Sequence, residues 1–471
     1  MGTGDATASR LFGIDYRSLR LFRMGLAILL LGDLVARSVD LDAFYTDAGV
    51  LPRSLLRIPG LRFSFHAMAG GRRGEEVLFL MAAAFALLLL AGVWPRVSAI
   101  ASWLFLASLD ARNPLVLNHG DELLKIFLFW SIFVPLTPCQ RPSQGGAGKR
   151  HLSVFTAALV LQVCIVYFFS ALLKTDNSWS VTGTAIASAL SLEQLSTGFG
   201  RALLDRPNLL RIATLLVYYL ELLGPLLIFV PWSNRRIREV AIVAFVAMHL
   251  AIAATMSLGL FPWVSILGWV LILPSETLDW IQGALGIGMS VPAQAASGNA
   301  PRGSLLGTGI QVLGAYLLCA VLIWNIRCLG TKPEELHPSS LDAPLLAAQL
   351  DQRWNMFAPR PNYISGWYVA PADLADGSHV DLMNVGKPVS WTRPDIVAAT
   401  YPDFRWRKYL INIGLSRFEG YGPGLSPYLR RHWDETHSAS QKVRQLKVCF
   451  VWQDLSAGEN PPVRNTVISK Y

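Results

Sequence analysis

The chain has 471 residues, of which 52% are hydrophobic and 15% are charged, and its mean hydropathy is +0.39. Soluble domains usually carry about 25% charged residues, so this composition excludes an ordinary soluble protein and predicts a membrane protein with several spans. The formal net charge of +9 does not indicate nucleic-acid binding, because no tract rich in lysine and arginine is interleaved with aromatic residues.

Long apolar runs predict that residues 1–329 form a mainly α-helical bundle of about nine transmembrane helices. A span needs roughly 20 apolar residues, and fewer when the helix is kinked or buried among others. The predicted spans lie near residues 19–36, 76–93, 97–110, 122–137, 152–173, 209–231, 238–256, 259–273 and 304–327. The polar stretch before the first run is not typical of a signal peptide, so that run is expected to remain as a membrane anchor.

Basic residues in short loops predict the orientation, since cytoplasmic loops are enriched in lysine and arginine. These loops follow the second, fourth and sixth predicted spans, and their basic residues are Arg96, Arg141, Lys149, Arg150, Arg235, Arg236 and Arg238. Placing all three loops in the cytoplasm requires a cytoplasmic N-terminus. Nine spans would then put the C-terminus on the outer side of the membrane.

Six polar side chains lie within the predicted spans, where burial of each is costly. They are Arg23, Asp33, Lys125, Gln162, Glu221 and His249. Such residues usually face the interior of a bundle or a cavity, and they pair with one another. Two interpretations stay open for each residue: an internal pair that fixes the helix register, or part of a polar site in the interior.

The fifth predicted span ends abruptly at Lys174, which is followed by Asp176 and Trp179. A lysine at the edge of a low-dielectric region can lose its proton near neutral pH and then act as a base or nucleophile. The alternative is a membrane anchor, with the ammonium among the lipid headgroups and Trp179 in the aromatic belt. The predicted orientation places this segment on the same side as two other polar clusters, residues 45–52 and 113–122, so the three can share a pocket.

Residues 330–471 are polar, contain recurrent proline and glycine, and have no run long enough to span a membrane. Their strand-like runs predict a β-rich exoplasmic domain, and Asp376-Gly377 predicts a hairpin turn. The aromatic segment 353–359 either docks this domain on the helical bundle or lines a substrate groove. Docking is favoured, because large aromatic side chains dominate burial at interfaces.

Signatures of common catalytic and metal sites are absent from the sequence. No P-loop, Rossmann glycine pattern, HExxH or GxSxG motif occurs, and the five cysteines form no CxxC pair. No metal site is predicted, although His119 and His249 could in principle supply a pair of haem ligands. No internal repeat is visible, which argues against a transporter built from inverted repeats.

Residues 167–179, Tyr-Phe-Phe-Ser-Ala-Leu-Leu-Lys-Thr-Asp-Asn-Ser-Trp, resemble the segment around the catalytic lysine of vitamin K-dependent γ-glutamyl carboxylases. Asn118-His119 resembles the Asn-His pair that precedes a membrane helix in that family, and His249 is similar to the histidine of a later helix. Other segments are more similar to the bacterial branch, the horizontally transferred transmembrane domain (HTTM) proteins. These segments are residues 44–52, 221–225, 258–262 and 354–359.

The resemblance implies a membrane enzyme, in the inner membrane of a bacterial-type cell, that uses a reduced vitamin K-type quinol, dioxygen and carbon dioxide. Lys174, as the free amine, would deprotonate the quinol, and oxygenation would then give the epoxide and a strong base. That base would remove a γ-proton from a glutamate of a peptide or protein, and carbon dioxide would capture the carbanion. His119 would hydrogen-bond a reacting oxygen, and the substrate site would be shaped by Asn118, Tyr167, Asp176, Trp179 and His249.

Two departures from that family keep the reaction open. Its animal members have two adjacent lysines, whereas Leu173 precedes Lys174 here. The predicted outer domain is also short for one that binds a propeptide-bearing substrate. Carboxylation of glutamate therefore stays undecided at this point. The alternative function is a non-enzymatic membrane protein that binds a lipid or quinone and presents a partner-binding outer domain.

Overall fold

The structure is a computed structural model that describes residues 3–58, 62–136, 150–230, 234–286, 305–331, 335–384, 386–414, 416–457 and 462–471. Two of the basic residues used to predict the orientation, Arg141 and Lys149, lie outside the described residues.

The first two thirds of the chain are mainly helical, and each predicted span corresponds to one of the helices. In chain order they are α1 (Thr3–Phe12), α2 (Tyr16–Ser38), α3 (Leu41–Tyr45), α4 (His66–Ala69), α5 (Arg72–Ala91), α6 (Pro95–Arg112), α7 (His119–Ser131), α8 (Val154–Leu173), α9 (Asn177–Ser180), α10 (Ala185–Leu190), α11 (Gly198–Ala202), α12 (Pro207–Leu227), α13 (Asn234–Thr255), α14 (Phe261–Leu271), α15 (Ser275–Leu285) and α16 (Leu305–Gly330). Two short strands, β1 (Ile14–Asp15) and β2 (Arg150–His151), pair antiparallel.

Nine membrane spans are not confirmed. Among the described residues, five helices are long and apolar enough to cross a membrane, namely α5, α8, α12, α13 and α16. A sixth span results if α14 and α15, which meet at 102°, count as one broken span. Two other predicted spans fall short for different reasons. Helix α2 is long but carries several charged residues, and α7 has only 13 residues. The chain is a polytopic membrane protein with fewer qualifying spans than the apolar runs predict.

Helix α8 is the central helix of the bundle. In its most apolar window 78% of the residues are buried, compared with 28% in α5 and α12 and 17% in α16. A helix that is apolar all round is buried among other elements, and α8 packs against α7, α12, α14 and α16. The lysine that ends this helix is therefore held inside the bundle.

The C-terminal region contains a five-stranded antiparallel sheet, as predicted, but also helices. Its strands are β3 (Ile364–Val369), β4 (Pro371–Leu374), β5 (His379–Asp381), β6 (Val443–Asp454) and β7 (Arg464–Lys470), and its α-helices are α17 (Ala343–Ala347), α18 (Phe404–Gly414) and α19 (Leu425–Thr436). Strand β6 is central and pairs with β3, β4 and β7. The predicted turn at Asp376-Gly377 is confirmed, because it joins the antiparallel pair β4 and β5.

Three basic and three acidic side chains, buried together, join this region to the helical bundle. Arg37 of α2 is fully buried and contacts three carboxylates, while Arg405 of α18 reaches two of the same carboxylates from the C-terminal region. The six members of this buried charge cluster are Arg37, Lys125, Arg405, Asp33, Asp110 and Asp121. Their formal charges balance, so the cluster ties α2, α6, α7 and α18 together without an unpaired buried charge.

All six polar residues predicted within the spans have a polar partner. The pairs are Arg23 with the Leu89 carbonyl, Asp33 with Arg37 and Arg405, Lys125 with Asp110, Gln162 with Gln352, Glu221 with Lys174, and His249 with Tyr167. Four of these pairs fix the packing of the fold. The last two meet on one face of α8, where the candidate site lies.

Candidate active site

Lys174 lies directly after the last residue of α8 and is only 4% exposed. Its Nζ donates to Ser170 Oγ at 3.0 Å and to the Glu221 carboxylate of α12. The same Nζ lies 4.7 Å from the centroid of the Trp179 ring, over its face. These contacts bury the ammonium group inside the protein, so the headgroup-anchor hypothesis does not describe this lysine.

The spacing from Lys174 to Trp179 is explained by the short helix α9. Asp176 precedes α9, and its Oδ1 accepts from the backbone N–H of Ser178 at 2.8 Å. Hydrogen bonds from Ser178 also lower the pKa of the Asp176 carboxyl. The turn that this cap begins brings Trp179 back over the lysine. Asp176 thus contributes by starting α9, and it is half-buried.

Tyr167 and His249 form a buried polar pair deeper along α8. The Tyr167 hydroxyl lies 2.7 Å from His249 Nε2 and accepts from Trp269 Nε1 at 2.9 Å. Tyr167 is two helical turns before Lys174, so both point to the same face of α8. The imidazole of His249 packs edge-on against Phe261, with 5.6 Å between ring centroids. Because Nε2 of His249 is engaged by the tyrosine, the structure does not favour the haem-ligand hypothesis.

Asn118 and His119 lie at the start of α7, which packs against α14. Asn118 Oδ1 accepts from Gly120 N–H at 2.6 Å, and Asp121 Oδ2 accepts from Asn118 N–H at 2.7 Å, which completes a capping box. Gly120 is needed here, since a Cβ would lie 2.6 Å from the backbone nitrogen of Phe261. This close approach brings Asn118 and His119 beside Phe261, the residue that packs on His249.

The segment 352–359 covers the remaining side of the site. Trp354 is fully buried, donates from Nε1 to Gln352 Oε1 at 2.6 Å, and lies 6.0 Å from the His119 ring. The carbonyl of Phe357 accepts from Trp179 Nε1 at 3.2 Å. Residues 353–359 therefore dock on the bundle, the alternative that the sequence favoured, and their role as the wall of a substrate groove stays a prediction.

Contacts and chain neighbours place nearly all the predicted site residues in one region around the end of α8. Lys174 contacts Trp179, whose Nε1 donates to Phe357, and Trp354, three residues before Phe357, contacts His119. Next to His119, Gly120 closely approaches Phe261, which contacts His249, and His249 contacts Tyr167. Glu221 is the member that the sequence did not assign to the site. The available signal was that Glu221 is one of the polar residues within the predicted spans. Because 47 residues separate it from Lys174, no local pattern could pair the two.

The region offers little to a metal ion. Among the described residues, no three histidine, cysteine, aspartate or glutamate side chains are arranged to hold one. Its chemical groups are instead an amine with a carboxylate partner, a hydroxyl–imidazole pair and several aromatic faces. Such a set suits an aromatic substrate that must lose a proton.

Comparison with known proteins identifies a family. Residues 13–280 match a family model described as the HTTM domain, which is more than half of the chain. The match includes Asn118, His119, Lys174, Glu221 and His249. No curated protein and no solved structure matches the chain.

Proposed function

Because this chain belongs to the HTTM-domain family, whose domain is that of vitamin K-dependent carboxylase-like proteins, we propose that it is a membrane enzyme that oxidises a reduced vitamin K-type quinol. With dioxygen as oxidant, one quinol gives one epoxide and one water. Carboxylation of a glutamate in a peptide or protein, with carbon dioxide, is the further step that the resemblance implies. The buried contact of Lys174 with Glu221, beneath Trp179, carries the proposal.

The aromatic side chains at the site supply surfaces for a flat, apolar substrate. Tyr167, Trp179, Phe261 and Trp354 each contact one of the polar site residues. Aromatic faces favour stacked or edge-on packing with another ring. A quinol ring bound among them would be shielded from water, which a strongly basic intermediate requires.

Glu221 gives Lys174 a route to the neutral amine. Burying two opposite charges is costly, and the attraction between them offsets only part of that cost. Transfer of one proton from Nζ to the Glu221 carboxylate leaves an amine beside a carboxylic acid, with no change in net charge. The amine then accepts the proton of the quinol O–H, and the ammonium stabilises the quinolate oxygen that remains.

We expect Asn118 and His119 to stabilise that oxygen as charge develops on it. The side-chain oxygen of Asn118 is used by the helix cap, but its Nδ2 is buried and has no hydrogen-bond partner among the described residues. A donor that is already oriented and desolvated is effective at a developing oxyanion. His119, whose ring Trp354 contacts, would supply a second donor.

The test is epoxide formation by the purified full chain in detergent, supplied with reduced vitamin K and oxygen. We expect Lys174→Ala to lose the activity, because no other group replaces the amine. Lys442→Ala removes an exposed lysine of the C-terminal region and serves as the matched control, with activity like that of wild type. If wild type and Lys174→Ala give the same background signal, the proposal fails for this quinone.

Two further measurements separate the remaining possibilities. Incorporation of labelled carbon dioxide into a glutamate-containing peptide, measured only after epoxide has been detected, tests the carboxylation step. Bound quinone without any oxidised product would instead favour the non-enzymatic lipid- or quinone-binding protein.

The location that we propose is a bacterial-type inner membrane, with the N-terminus in the cytoplasm and the C-terminal region outside. Support comes from Arg235, Arg236 and Arg238 at the start of α13, since short basic segments stay in the cytoplasm. A reporter that is active only outside the cytoplasm, fused after Tyr471, should be active. An inactive but folded fusion would reverse the orientation.

A further inference from the structure

A second group of buried polar side chains lies at the C-terminal end of α6, and none of its members belongs to the site around Lys174. His66 Nδ1 lies 2.6 Å from Glu75 Oε2, and both side chains are at most 1% exposed. Ser108 Oγ accepts from the backbone N–H of His66 at 3.2 Å. Arg112, which is fully buried, follows Ser108 by one helical turn and so lies on the same face of α6.

Four atoms of this group have no hydrogen-bond partner in the part of the chain that the structure describes. They are Nε2 of His66, Oε1 of Glu75, and Nε and Nη2 of Arg112. The guanidinium is held in place, because Nη1 donates to the Leu51 carbonyl at 2.8 Å. Asp47 Oδ1 lies 4.0 Å from Nη2, which is too far for a hydrogen bond. Buried polar groups are nearly always satisfied, so such a concentration of unpaired atoms indicates a bound species.

The four unpaired atoms, as donors and acceptors, define the chemical class of that species. The Nε and Nη2 edge of a guanidinium presents two parallel N–H groups, which match two oxygens of a planar oxyanion. The Glu75 carboxylate engages His66 through Nδ1, so Nε2 is the ring nitrogen left to face a ligand. The Arg112 guanidinium supplies the positive charge that a monoanion needs. Oε1 of Glu75 still needs a donor, so the ligand should retain one O–H.

We propose that His66, Glu75 and Arg112 form a binding site for a small, planar, monoanionic oxyanion that carries one hydroxyl, with bicarbonate as the representative. The edge of Arg112 holds two oxygens, and the hydroxyl donates to Glu75. Complete burial of the three side chains limits the ligand to a few atoms. This inference does not depend on quinol chemistry at Lys174.

The experiment measures thermal unfolding of the purified full chain in detergent, in sodium bicarbonate and in sodium chloride at the same pH and ionic strength. A ligand that binds only the native state raises the unfolding temperature in a saturable way. We expect this rise for wild type in bicarbonate. Arg112→Lys keeps the charge but loses the parallel edge, and it should raise the half-saturating concentration by about tenfold or more. Arg112→Gln should abolish the response.

Arg23→Gln is the matched control. Arg23 is also a buried arginine that donates from Nη1 to one backbone carbonyl and has an unpaired Nε, but it lies outside this group. Its variant should respond to bicarbonate like wild type.

Two outcomes would overturn the proposal. In the first, bicarbonate and chloride affect wild type equally, which means that water alone occupies the site. In the second, Arg112→Lys responds to bicarbonate like wild type. Formate has the same planar edge but no hydroxyl, so it should bind more weakly; equal binding would refute the role given to Glu75. If Arg112→Gln fails to fold, the bicarbonate titrations of wild type and of Arg112→Lys still decide whether the proposal holds.

Discussion

Arg405 of α18 holds Asp121 of α7 through two hydrogen bonds, from Nη1 to Oδ2 at 2.9 Å and from Nη2 to Oδ1 at 2.7 Å. Asp121 also accepts from the backbone of Asn118, so the C-terminal region is linked directly to the residue before His119. Two parallel bonds fix both the distance and the orientation of the partners. The start of α7, and with it one wall of the site, is therefore positioned from outside the helical bundle.

Arg405→Ala should strongly destabilise the protein. The change leaves Asp33 and Asp121 buried with one counter-charge fewer, and loss of one partner of a buried pair costs about 3–5 kcal/mol. The unfolding midpoint in detergent measures this loss. Arg444→Ala, which removes an exposed arginine from the same region, should leave the midpoint nearly unchanged. Similar midpoints for the two variants would show that the buried charge cluster does not hold the C-terminal region on the helical bundle.

Glu221→Gln should lower the rate of epoxide formation by about 10²-fold or more, the usual range for a lost proton-transfer partner. The amide preserves the size of the side chain but cannot take the proton from Lys174, so the amine is not released by this route. Glu193→Gln is the control, because Glu193 forms an ion pair with Arg393 away from the lysine. An unchanged rate in folded Glu221→Gln would remove the carboxylate from the mechanism.

Trp354→Ala should reduce both stability and turnover. A fully buried tryptophan typically contributes about 3–5 kcal/mol relative to alanine, and its loss also removes the ring beside His119. Trp354→Phe keeps an aromatic ring but loses the bond to Gln352, and it should restore part of the stability. Trp391→Ala, at a position 45% exposed, is the comparison and should have little effect. If Trp354→Ala folds and turns over like wild type, the segment 352–359 is not a wall of the site.

Asp40, in the turn after α2, lies beside Asp403, which directly precedes α18. This contact should make the free energy of unfolding depend on pH. Burial, and then a hydrogen bond with Asp403, raise the pKa of Asp40 to about 7, although Trp406 Nε1 opposes the shift. An acid whose pKa is raised on folding stabilises the native state most at low pH, where it is protonated in both states. This contribution is present below its ordinary pKa of 3.8 and is lost as the pH rises through about 7.

The unfolding midpoint of wild type should therefore fall between pH 4 and pH 7.5 more than that of Asp40→Asn, which needs no proton to lie beside Asp403. Asp42→Asn removes an exposed carboxylate two residues away that pairs with Arg72, and it should retain the wild-type slope. Equal slopes in wild type and Asp40→Asn would contradict the assignment.

Local patterns in the sequence predicted the parts of the site that are close in sequence, and the structure gives their physical basis. The Lys-x-Asp-x-x-Trp spacing works because Asp176 starts a helical turn that returns Trp179 to the lysine. The hairpin at Asp376-Gly377 was equally local. By contrast, the predicted nine spans are not confirmed, because apolar runs such as α7 form helices of the bundle that, among the described residues, are too short to qualify as spans.

Long-range partners could not be predicted in the same way. Glu221 and Arg405 were visible as charged residues, but which charge meets which depends on helix packing that local patterns in a sequence do not reveal. The segment 352–359 shows the same limit. Its aromatic content predicted burial, whereas its contacts with both His119 and Trp179 emerge only from the folded chain.

Trp354, Phe357 and Arg405 all follow residue 280, where the match to the HTTM domain ends. Lys174 and Glu221 are thus supplied by the shared domain, while one side of the candidate site is formed by a region beyond the matched residues. Under the proposed function, exchange of that region would alter which substrate fits without changing the residues that handle the proton. The helix that carries the proposed base and the segment that covers it could then change separately.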